Sequence, residues 1–70
     1  MSGMRGIVRK VIEQDRQWLV SFLNHSVYFH VPMTPESQRL RDRILDSKAR
    51  GREIFFTCDA GLNIVDIEDR

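Results

Sequence analysis

The sequence predicts a mainly β domain: a small five-stranded barrel with one α-helix between the third and fourth strands. Three observations carry this expectation. The runs Trp18–Leu23 and Val27–Val31 flank the polar tripeptide Asn24-His25-Ser26. Both runs are rich in β-branched and aromatic residues and free of Gly and Pro, the pattern of a hairpin. Next, Thr34-Pro35-Glu36 opens a polar stretch that closes at Gly51, the punctuation of a capped helix. Finally, further short apolar runs lie before the hairpin and after the helix, each of strand length.

Taken in order, residues 1–5 read as a loose start. Ile7–Glu13 is the expected first strand. Its Ile7, Val8, Val11 and Ile12 also fit a helical stripe, but β-branching dominates and no N-cap precedes them. The Val8-to-Val11 spacing breaks strict alternation, which a β-bulge would restore. Residues 14–17 form the first turn. In the second strand Trp18, Val20 and Phe22 share one side, opposite Leu19, Ser21 and Leu23. In the third, Val27, Phe29 and Val31 oppose Tyr28 and His30. The two strands pair if Val20, Phe22, Val27 and Phe29 all face the core. Pro32 then ends the sheet segment.

The helix is expected over Pro35–Ala49, with Thr34 as N-cap and Pro35 at its first position. Its apolar stripe is thin: Leu40, Ile44, Leu45 and Ala49. Gly51 supplies a left-handed C-cap, and Lys48 and Arg50 suit the negative end of the helix dipole. Arg52–Cys58 is the fourth strand, with Ile54, Phe56 and Cys58 on one side. Asp59-Ala60-Gly61 makes a turn in which Gly61 takes positive φ. Leu62–Ile67 is the fifth strand, and residues 68–70 are a tail.

Seventy residues make one domain, 1–70. The strand and helix order matches an OB-type Greek-key barrel, with an open antiparallel sheet crossed by a helix as the competing arrangement. The first half also resembles a cold-shock domain. MRGIVRK, residues 4–10, is similar to that family's Met-x-Gly-x-Val-Lys opening. SVYFHV, residues 26–31, resembles its second ribonucleoprotein motif. On this likeness, which spans residues 4–31, Tyr28 matches the first stacking aromatic and His30 the motif histidine. Lys10 stands where the family has Trp, Gln17 and Leu19 where it has stacking Phe, and Val31 replaces its last aromatic. The resemblance implies binding of single-stranded RNA or DNA, with Tyr28 and His30 stacking on bases beside Leu19 while Arg9 and Lys10 neutralise phosphates.

Composition narrows the alternatives. Eleven Lys and Arg against ten Asp and Glu give a net charge of +1, which argues against strong non-specific nucleic-acid binding. The cations cluster nonetheless: Arg5, Arg9 and Lys10 near the start, and Arg39, Arg41, Arg43, Lys48, Arg50 and Arg52 later. The single Cys58 cannot form an internal disulfide, and it alternates with core residues like a small apolar side chain. His25, His30 and Cys58 match no metal-ligand spacing. Asp59, Asp66, Glu68 and Asp69 sit at a turn and a tail, and the glycines are isolated, so no phosphate loop forms. The expectation is a non-enzymatic cytoplasmic binding module with no cofactor and no membrane segment. Its second candidate role is as a protein-interaction or homodimer module, using Leu19, Leu23 and Phe55 or a free strand edge.

Overall fold

A computed structural model describes residues 2–68. The described residues form six strands and one α-helix: β1 Ser2–Gly6, β2 Val8–Gln14, β3 Gln17–Phe22, β4 Tyr28–Pro32, α1 Gln38–Arg50, β5 Ile54–Cys58 and β6 Ile64–Ile67. They make two three-stranded antiparallel sheets, β1-β5-β6 and β2-β3-β4. The five-stranded OB-like barrel expected from the sequence is therefore corrected, and the helix follows the fourth strand rather than lying between the third and fourth. The missed strand is β1. Its sequence, SGMRG, has no apolar alternation. It becomes a strand because its backbone pairs with β5, from Ser2 opposite Cys58 to Gly6 opposite Ile54.

The chain passes from one sheet to the other at Ile7, whose carbonyl accepts the Leu23 amide at 3.0 Å. Across the molecule the sheets meet again at one parallel bridge, His30–Asn63, where the His30 amide donates to the Leu62 carbonyl at 2.8 Å. The next rung along β4 would need a donor at position 32. Pro32 has none, so the ladder stops.

The core is continuous between the sheets: Val8, Val20, Phe22, Phe29, Val31, Ile44, Phe56, Cys58, Ile64 and Ile67 are buried. Phe22 and Phe56 stack at 4.5 Å between centroids, and Phe29 meets both edge-on. Val27, expected in this core, instead lies exposed in the connection before β4.

The first connection falls over residues 14–17 as expected, and the later one departs from expectation. Asp15 and Arg16 take φ of 53° and 59°, giving the two-residue primed turn that suits strand twist. In the later turn Leu62, not Gly61, adopts the left-handed conformation, with φ of 63°. Asp59 imposes this: its carbonyl accepts the Leu62 amide, and its carboxylate accepts the Gly61 and Asn63 amides at 2.9 and 3.0 Å. The helical segment begins with a 3-10 turn, Pro35–Ser37, and α1 continues one residue past the expected end, to Arg50. Gly51, at φ of 65°, closes it as expected. The strands after α1 are shorter than expected, beginning at Ile54 and Ile64.

Two buried serines fix the helix. The Ser37 hydroxyl accepts the Thr34 amide at 3.3 Å and donates to the Pro32 carbonyl, tying the helix entry to the end of β4. Ser47 is fully buried, accepts the Val8 amide at 3.1 Å and donates to the Arg52 carbonyl at 2.6 Å. One hydroxyl thus joins α1, the start of β2 and the exit from the helix.

Candidate nucleic-acid interface

The candidate site is built from strand geometry on the outer face of β2-β3-β4. Alternation turns Val20, Phe22, Phe29 and Val31 inward, so Leu19, Ser21, Tyr28 and His30 project outward. Register completes the rows: Ser21 lies between Lys10 on β2 and Tyr28 on β4, and Leu19 lies between Ile12 and His30.

The β2-β3 register shifts between Val8 and Lys10, so Arg9 is the extra residue of a bulge. This is the irregularity the Val8-to-Val11 spacing required. Its consequence is chemical. Arg9 and Lys10 both reach the outer side, and Arg9 Nη2 donates to the Ser21 hydroxyl at 3.3 Å. Two cations therefore lie one strand away from Tyr28, the one tyrosine of the chain, with the buried Ser21 between them. Ser47 holds the Val8 amide immediately before the bulge, so the helix supports the strand where the cations are presented.

All five residues singled out in the sequence, Arg9, Lys10, Leu19, Tyr28 and His30, belong to this one face. They differ in availability. Arg9, Lys10 and Tyr28 are exposed, with Tyr28 at 39%, whereas Leu19 and His30 are half-buried. His30 Nδ1 is enclosed without a hydrogen-bond partner. Tyr28 is thus the accessible ring and His30 a partly covered one. The helix does not roof this face: α1 packs on β2, β5 and β6, with Ile44 and Ser47 directed inward.

Four of the later cations, Arg39, Arg41, Arg50 and Arg52, are engaged away from this face. Arg39 pairs with Asp66 at 3.3 Å and caps the Ile67 carbonyl at 2.7 Å. Arg50 and Arg52 both contact Asp46. Arg41 lies over the Trp18 ring at 5.9 Å and donates to the Thr34 carbonyl at 2.8 Å. The apolar trio proposed as a protein patch is divided as well. Leu19 is on one sheet, Phe55 on the other opposite Arg5, and Leu23 is exposed in the loop after β3.

His25 lies in the polar connection between the two hairpin runs, where its sequence context signals only a turn. It is an anchor: its ring meets Phe22, Phe29 and Phe56 edge-on at 6.0, 5.5 and 6.2 Å. Its Nε2 and the Asn24 side-chain amide both reach the Arg5 carbonyl, at 3.1 and 3.0 Å. These contacts bind the β3–β4 connection to β1, and no local pattern announces them. Among the described residues no group of three or more His, Cys, Asp or Glu could hold a metal ion. None of the described helices is long and apolar enough to cross a membrane.

No protein-family model matches this chain, and no curated protein does. Its fold is shared with two solved structures, a pro-protein-glutaminase and a mutant of it, with TM-scores of 0.85 and 0.86. Each is 12% identical over an alignment covering 94% of this chain. The chain spans 24% of the length of those proteins. At that identity the likeness shows a common fold for this segment and nothing about chemistry.

Proposed function

We propose that the chain is a non-enzymatic binding module that holds short single-stranded nucleic acid, RNA or DNA, on the outer face of β2-β3-β4. The observation that carries this reading is the bulge at Arg9, which sets two cations across β3 from an exposed tyrosine on the outer face of the sheet, with the buried Ser21 between them. Tyr28 stacks on a base, a contact of about 1–3 kcal/mol. Leu19 and the exposed edge of His30 continue the surface, and Arg9 and Lys10 neutralise phosphates. With one open ring and two cations, affinity is low and falls with salt. Neutralising two phosphates of a single strand corresponds to a log–log slope of about −1.4. Titrating a labelled hexanucleotide at several low salt concentrations tests this, with chemical-shift changes expected at Lys10, Ser21 and Tyr28. No binding at low salt refutes it.

A second reading, a protein-contact module or homodimer, is favoured by exposed Leu23 and Val27 next to Tyr28. The shared fold with part of an enzyme precursor is compatible with it. A dimer by light scattering, with oligonucleotide binding absent, selects this reading instead.

A further inference from the structure

We propose that the β4–β6 seam opens as a unit before the rest of the fold, freeing the outer edge of β4 while β2-β3-β4 stays paired. Several features meet at this one place. The seam has a single bridge, His30–Asn63, although β4 and β6 are five and four residues long. Pro32 removes the next donor. The carbonyl that accepts the bridging bond belongs to Leu62, a non-glycine residue held at φ of 63°, a conformation unfavourable for a side chain with Cβ. By contrast, β4 is joined to β3 through five consecutive residue pairs, Gln17–Pro32 to Ser21–Tyr28.

Opening breaks the His30–Leu62 bond, while the Asp59 hydrogen bonds keep the 59–63 turn in its shape. It leaves Tyr28 in place on β3, so the proposed nucleic-acid face persists in the opened form. What it adds is an unpaired edge at His30, hidden in the closed state.

Adjacent amides on β4 make the test internal. Strand alternation points the His30 amide toward β6 and the Phe29 amide toward β3. In native-state hydrogen exchange by NMR on the full chain, His30 is expected to exchange at least about tenfold faster than Phe29 through an opening with little urea dependence. Equal protection of the two amides, with the same urea dependence, overturns the proposal. Pro32→Ala restores the missing donor and is expected to slow His30 relative to Phe29 by about fivefold, the effect of one added backbone hydrogen bond. An unchanged ratio also overturns it. Because the readout is a ratio within one molecule, a general loss of stability in the variant does not mask it.

Discussion

Replacing Ser47 with alanine tests how the helix supports the cation-bearing strand. The hydroxyl is the partner of two main-chain groups, the Val8 amide and the Arg52 carbonyl. Ala has the higher helix propensity, by a few tenths of a kcal/mol, so local preference predicts a small gain. The tertiary accounting predicts the reverse. Val8 is 3% exposed, and its amide bond to Ser47 is buried. Leaving such a donor unmatched costs about 1–3 kcal/mol. Arg52 is exposed, so water replaces the hydroxyl at its carbonyl and that loss is smaller. The expected net destabilisation is about 2 kcal/mol. For 70 residues the whole folding free energy is roughly 4–10 kcal/mol, so a substantial share is lost. Urea denaturation followed through Trp18, the one tryptophan, measures this. The midpoint is expected to fall with the slope unchanged. A loss below about 0.5 kcal/mol, or a gain, refutes the reasoning that Ser47 satisfies a buried amide rather than merely filling space.

Further tests separate close approach, charge and recognition. A Cβ at Gly6 lies 2.6 Å from Asn24 Oδ1 and 2.9 Å from Phe22 Cδ1, whereas one at Gly3 meets nothing within 4 Å. Gly6→Ala is therefore expected to cost about 1–3 kcal/mol in urea melts while Gly3→Ala stays near wild type. The backbone and side-chain hydrogen bonds of Asn63 hold the Asp59 carboxyl below its ordinary value of 3.8. Its contribution is thus present above that value and lost as pH falls through the lowered folded-state value. Thermal melts should show the advantage of wild type over Asp59→Asn shrinking across this acidic range; a constant difference contradicts the assignment. Tyr28→Ala is expected to weaken oligonucleotide binding by about 1–3 kcal/mol at fixed salt. Lys10→Ala should lower the magnitude of the salt slope by about 0.7, as expected for one lost phosphate contact on a single strand. Unaltered binding in both variants removes the face from consideration.

Local chemistry was legible along much of the chain. Thr34-Pro35 and Gly51 bracket the helical segment. Alternation in Trp18–Phe22 and Tyr28–Val31 sorts inner from outer side chains, and the Val8-to-Val11 spacing signals the bulge that presents Arg9. Those features follow from periodicity, capping and β-branching, which neighbouring residues encode. The same alternation gathers Lys10, Leu19, Tyr28 and His30 on one face, because strand pairing preserves the two-residue period.

Other features depend on partners remote in sequence. Ser2–Gly6 carries no strand signal, and the backbone of residues 54–58 makes it one. Ser47 and His25 look like an ordinary helix residue and an ordinary turn residue until Val8 and the three phenylalanines are beside them. Gly61 carries the usual turn signal, but the Asp59 hydrogen bonds pass the left-handed conformation to Leu62. The sequence by itself determined which side chains face together within each element, since that is set by the geometry of a single strand or helix. Only the tertiary structure decided how many strands there are, where the two sheets meet and which polar groups are satisfied, because a backbone hydrogen bond is blind to sequence and takes its partner from whatever the fold brings within reach.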